Sequence, residues 1–194
     1  MKIRPYTDRD WQPVCHIHDS ARPLEVKRFM PLQAVSKMEA IAQEDGFFDA
    51  KCYVAELDSP IDGSRDSSLA GFICIEPPAL TWLYVSPKHH RQGIGRALVA
   101  SVMAELGPDA WLTTAEENAE GVQFYKSVGF IVAATFPGYC QEYPCTCIRL
   151  VKPGSRHARH PPTPTQKALQ LAGFTEENPG KAVLDAEGVW RWQS

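Results

Sequence analysis

"HHRQGIGRAL", His89 to Leu98, is the stretch on which the fold turns. Gly93 and Gly95 stand one residue apart, with Arg91 and Arg96 beside them. An apolar face at helical spacing follows: Ile94, Leu98, Val102 and Leu106, closed by Gly107. Glycine permits left-handed backbone and close approach. A helix that begins straight after such a turn offers unpaired N–H groups and a positive dipole end to an anion. Just ahead, "ALTWLYV" (Ala79 to Val85) has the composition of a strand. The unit reads as strand, phosphate loop, helix.

Known phosphate loops narrow the choice. A Walker A loop ends in Gly-Lys-Ser/Thr, which is absent. A dinucleotide fingerprint needs a third glycine for close helix–strand packing, and Leu98 stands there. That fingerprint also opens its domain, whereas several elements precede this loop. A plain tight turn remains the bland alternative.

Outward from the loop, "MKIRPY" reads as a strand. A helix follows from near Asp10, with Pro13 in its first turn. "MPLQAVSKMEAIAQEDG" reads as a second helix ended by Gly46. "KCYVAEL" and "SLAGFICIE" form a hairpin across the polar loop "DSPIDGSRDSS". After the loop's helix come the strand "AWLTTA", the helix "NAEGVQFYKSVG", and the strands "FIVAATF" and "PCTCIRLVK". This order is a mixed α/β sheet with flanking helices.

Composition excludes little beyond that. The 194 residues carry a formal charge of -3, so nothing advertises a nucleic-acid or membrane partner. No apolar run approaches a membrane span, and "MKIRPYTDRD" lacks the apolar core of a signal peptide. The chain therefore reads as cytoplasmic, with its six cysteines as reduced thiols and Cys74 buried in a strand. Cys140, Cys145 and Cys147 cluster, but structural zinc wants two separated pairs, so no metal is expected.

Residues 1–152 resemble the GNAT N-acetyltransferase superfamily. Leu83-Tyr84-Val85 and His90-Arg91-Gln92-Gly93-Ile94-Gly95 follow its strand and its Q/R-x-x-G-x-G/A loop, with His90 at the position usually held by Gln or Arg. "NAEGVQFYKSVGF" follows its second motif, through Asn118, Gly121, Phe124, Tyr125, Gly129 and Phe130. The resemblance implies a mixed, mostly antiparallel central sheet flanked by helices. It also implies acetyl-CoA as co-substrate for transfer to an amine of a small molecule or protein. Leu83 and Val85 would pair with the pantetheine arm as an added strand does. His90, Arg91, Gln92, Gly93, Ile94, Gly95 and Arg96 would hold the pyrophosphate. Asn118 would contact the cofactor arm, though a helix N-cap looks the same. Tyr125 would protonate the departing thiolate, since a phenol is protonated at neutral pH; packing as a core aromatic is its alternative.

The base that takes the amine's proton stays open among Glu76, Glu116, Glu117, His16 and His18. Trp82, Phe47 and Phe48 are candidates for the cleft mouth or the core. A toxin-like acetyltransferase of aminoacyl-tRNA is disfavoured by the acidic pI. A non-catalytic acyl-CoA-binding module is disfavoured by Tyr125 and Asn118.

"PGSRHARHPPTPT" reads as a Pro-rich basic linker, residues 153–163. Residues 164–194 then form a helix plus hairpin, with Thr163 as N-cap, Pro164 at N1 and Gln166 at N3. A short helix and a lone hairpin are marginal alone. The tail is therefore expected to dock, on its own domain or on a second subunit of a homodimer, and to bury Trp190 or Trp192.

Overall fold

The computed structural model describes residues 1–58 and 69–193. It forms two compact units: Met1–Leu24 with Ala34–Gly107, and Glu25–Gln33 with Pro108–Ser194. Of the polar hairpin loop expected between the second and third strands, residues 59–68 lie outside the described residues.

In the first unit, β1 (Lys2–Pro5), β2 (Lys51–Glu56), β3 (Leu69–Glu76) and β4 (Ala79–Val85) lie side by side in that order, all antiparallel. β3 is buried from Leu69 to Ile75, as its unbroken apolar run requires. Helix α1 (Trp11–Val26) contributes Val14 and Ile17 to a core with Met38, Phe47, Val54, Phe72 and Trp82. Phe47 sits edge-on to Tyr6, Phe72 and Trp82 at 5.5–6.0 Å. Gly71 lets helix α3 (Ile94–Leu106) close on the sheet: a Cβ there would lie 2.8 Å from the Tyr84 carbonyl and 3.2 Å from Leu98. Thr7 and Asp10 form a reciprocal capping box over a short 3₁₀ turn, and α1 follows directly.

Two expectations fail in this unit. The second helix is only Met38–Ile41 (α2), one turn rather than a run to Gly46. Its first N–H is capped by Asp19 Oδ1 of α1 at 2.8 Å, a tertiary contact with no local sequence signature. Cys52 and Cys74 are not reduced thiols but a disulfide. They are register partners on β2 and β3 with Cα atoms 4.1 Å apart. Residue spacing alone gives no hint of such a cross-strand pair.

The second unit is ordered β5-β7-β6-β9-β8: β5 (Trp111–Ala115), β7 (Tyr143–Val151), β6 (Ile131–Cys140), β9 (Trp190–Gln193) and β8 (Lys181–Leu184). Every pairing is antiparallel except β6 with β9. The tail thus docks by extending the edge of β6, through Ala134–Trp190 and Thr135–Arg191. Val189 is buried, and Trp190 and Trp192 are mostly so. Helix α5 (Gln166–Leu171) is capped by Thr165, whose Oγ1 accepts the Ala168 N–H, not by Thr163. Both threonines of Thr-Pro-Thr could cap, and the later one wins with Pro164 buried ahead of the helix.

Residues 153–163 are anchored rather than loose. Ser155 is buried and donates to the Asp109 carbonyl, the Arg156 N–H bonds the Asp109 carboxylate, and Trp190 Nε1 donates to the Ala158 carbonyl.

Candidate functional site

In the first unit β4 ends at Val85, and the chain turns through Pro87–His89 into a loop whose backbone is left-handed twice. Gly93 has φ +82° and an open Cβ position, so conformation alone selects glycine there. Arg91 has φ +64°, costing roughly 1–2 kcal/mol for a residue with a Cβ. Strain of that kind is found where a binding loop is held in shape. Gly93 is the N-cap of α3, and its carbonyl accepts the Ala97 N–H. The N–H groups of Ile94, Gly95 and Arg96 therefore have no intrahelical acceptor. Ile94 is buried and anchors the helix start, while Arg91, Gln92, Gly93 and Arg96 are exposed.

His90 gains a specific role here. Its Nε2 bonds the Val85 carbonyl at 3.0 Å, tying the loop to the strand end. Gln92 Nε2 donates to the Lys88 carbonyl. Leu83 and Val85, both half-buried, pair with Ile73 and Gly71 of β3.

The second motif lies in the second unit, on helix α4 (Ala119–Ser127). Asn118 caps it: Oδ1 accepts the Gly121 N–H at 3.1 Å, and Nδ2 donates to Thr114 Oγ1 at 3.2 Å. Gly121 makes room for this cap, since a Cβ would lie 2.3 Å from Asn118 Nδ2. Arg28 reaches the same helix start, bidentate to Glu120 at 2.7 and 2.8 Å and bonded to the Glu117 carbonyl. Neither Arg28 nor Glu120 stood out in the sequence; an isolated Arg carries no pattern.

Tyr125, also on α4, packs edge-on against Phe124 (5.3 Å) and Phe130 (6.2 Å). Burial, and then the Glu25 carboxylate, push its phenol well above the usual tyrosine value. It therefore stays protonated across the neutral range.

The candidate bases separate by burial. His18 is fully buried, bonded through Nδ1 to Asp19 (3.0 Å) and edge-on to Trp82 and Tyr84. His16, Glu76 and Glu116 are exposed. Glu117 Oε1 accepts the Thr146 N–H. Trp82 and Phe47 belong to the core, while Phe48 is exposed. The hydroxyl of Tyr84 accepts from Arg22 Nη1 at 3.0 Å, a pairing across 62 residues. No group of three or more metal-ligating side chains occurs among the described residues, nor any helix long and apolar enough to cross a membrane.

A strand, a left-handed glycine loop and a helix N-terminus on a mixed sheet, with a second Asn-capped helix, is the architecture of acyl-CoA N-acyltransferases. The model of the acetyltransferase (GNAT) domain matches residues 48–132. Among solved structures the chain is similar to apo YjaB from Escherichia coli, at 20% identity and TM-score 0.59, over 79% of this chain and 98% of that one. It is similar to the ribosomal-protein-S18-alanine N-acetyltransferase from Escherichia coli, at 21% identity and TM-score 0.57, over 79% and 94%. It also resembles yncA from Salmonella typhimurium, solved with its cofactor acetyl-CoA, at 17% identity and TM-score 0.52, over 78% and 93%. At these identities the likeness is one of fold. Comparison with curated protein sequences finds no match.

Proposed function

We propose that the protein is an acetyl-CoA-dependent N-acetyltransferase that passes the acetyl group directly to an amine of a small molecule or protein. The observation that carries this reading is the loop. Arg91 and Gly93 are both held left-handed just ahead of the first N–H groups of α3, which lack intrahelical acceptors and lie beside two arginines. That arrangement suits one pyrophosphate. With Leu98 in place of a third glycine it does not suit a dinucleotide. Acetyl-CoA supplies the activated thioester. The Leu83 and Val85 backbone would align its pantetheine arm.

In this reading the amine nitrogen attacks the thioester carbonyl and the C–S bond breaks. The Tyr125 hydroxyl, protonated at neutral pH, donates its proton to the leaving sulfur. Asn118 sets the start of α4, and so the position of Tyr125 on it.

Acetyl-CoA turnover against a panel of amines, read as thiol release, tests the reaction. Thermal shift with CoA and with NAD tests the loop. A ligand at a hundredfold excess over Kd stabilises by about 2.7 kcal/mol, so CoA should raise the melting temperature and NAD should not. A shift with NAD and none with CoA would overturn the proposal.

A further inference from the structure

The basic stretch after β7 forms the wall of a cavity in the second unit, about 360 Å³ in volume. Its lining is Arg149, Arg156, His157, Arg159, His160 and Pro161, with no carboxylate among them. The nearby acid, Asp109, is engaged by Arg156: Nε lies 3.1 Å from its carboxylate. Two polar atoms of the lining, Arg149 Nε and His157 Nε2, are buried without a hydrogen-bond partner. A buried unsatisfied donor costs about 1–3 kcal/mol. Arg149 Nε–H is such a donor, and His157 Nε2 joins it in the tautomer protonated there, so this cationic cavity lacks an acceptor.

The cavity is also held in shape. Trp111 supports it from below, with the Arg149 guanidinium 4.6 Å from its ring and the His157 ring 5.5 Å away. Ser155 Oγ accepts the His157 N–H, and Trp190 ties down Ala158. Burial and the guanidiniums of Arg156 and Arg149 lower the His157 pKa, with only Asp109 acting the other way. An anion would relieve that repulsion. Guanidinium forks match the tetrahedral oxygens of phosphate in a way a single ammonium does not.

We propose that this cavity is a binding site for a phosphate dianion, gripped by Arg149, His157 and Arg159. It is independent of the acetyl-CoA reading, because none of its residues belongs to either GNAT motif. The volume lies at the lower end of the range for small-molecule pockets, so there is room for a phosphorylated small molecule as well as for the free ion.

Calorimetric titration of the full chain with inorganic phosphate, glucose 6-phosphate and AMP, at constant ionic strength in chloride, tests this. Saturable binding of any of the three that is weakened by the cavity substitutions below supports the site, and the order of affinities says whether the phosphate arrives free or esterified. Arg149→Met should weaken that binding at least tenfold. Arg159→Ser, at an exposed position, should weaken it severalfold with an unchanged unfolding midpoint and unchanged affinity for CoA. No binding above the chloride background overturns the proposal, as does binding that survives both substitutions.

Discussion

Asp10→Asn tests the account of how the first unit is pinned at its start. Asp10 is 4% exposed and accepts from Arg4 Nη1 and Nη2 at 2.7 and 2.8 Å and from Thr7 N and Oγ1 at 2.9 Å. The Arg4 bonds, aided by Thr7 and opposed by burial, lower the carboxyl from 3.8 to about 2. At about 1.36 kcal/mol per pH unit, that depression corresponds to roughly 2.5 kcal/mol of stability. Asparagine keeps the shape and one acceptor but removes the charge. Arg4 retains Glu56 at 2.8 Å, so the loss should not reach the 3–5 kcal/mol of an orphaned buried charge. With a urea slope of about 2 kcal/mol per molar, the midpoint at pH 7 should fall by about 1 M. Because the folded value lies below the unfolded one, this stability is complete above pH 3.8 and is lost as the pH falls through about 2. The gap between wild type and variant should therefore close on acidification. A midpoint within about 0.2 M of wild type at pH 7, or a gap that ignores pH, would refute the reasoning.

Tyr125→Phe should keep CoA binding and stability while lowering kcat on the order of 10²-fold, the lower end for general acid catalysis. An unchanged kcat, with chemistry rate-limiting, would return Tyr125 to a packing role. Gly121→Ala should displace Asn118, whose Nδ2 lies 2.3 Å from the new Cβ. Loss of the cap, about 1 kcal/mol, is offset by the similar gain of alanine over glycine in a helix, so the urea midpoint should barely move. Activity should fall if Asn118 orients α4 or the cofactor arm. Thiol titration of the denatured, unreduced protein should find Cys15, Cys140, Cys145 and Cys147 reactive, and two further thiols only after reduction. Removing both Cys52 and Cys74 should cost about 3 kcal/mol, given their separation of 22 residues.

Which features could be read from the sequence follows from the range of the forces involved. The Gly93 turn and the α3 stripe are local, set by a backbone angle and a helical period, and they stand where the residues place them. Asn118 and Gly121 are also local, being the two halves of one cap. What escaped was tertiary. Asp19 starts α2 from another helix, Cys52 finds Cys74 only through sheet register, and β9 joins β6 in parallel with no signature in either strand. Proline and arginine between residues 153 and 163 read as a linker, because neither the Asp109 bonds nor the Trp190 contact is local.

The same distinction bears on the motifs themselves. Asn118 and Gly121 fit each other so closely that their presence is explained by helix capping before any ligand is invoked. The glycine loop is different. A cap or a core contact accounts for Gly93 no better than for any other left-handed turn. Arg91 beside it adopts the same handedness at a cost a residue with a Cβ rarely bears. Arg91 and Gly93 are therefore better markers of a ligand site than the longer and more conspicuous second motif. Relaxing Arg91 to glycine should stabilise the free protein while weakening its affinity for CoA, through the loss of the cation. Urea unfolding and CoA titration of that one variant would read the two effects separately, and a variant destabilised by the full cost of a glycine, about 0.5–1 kcal/mol, would show that the loop is unstrained.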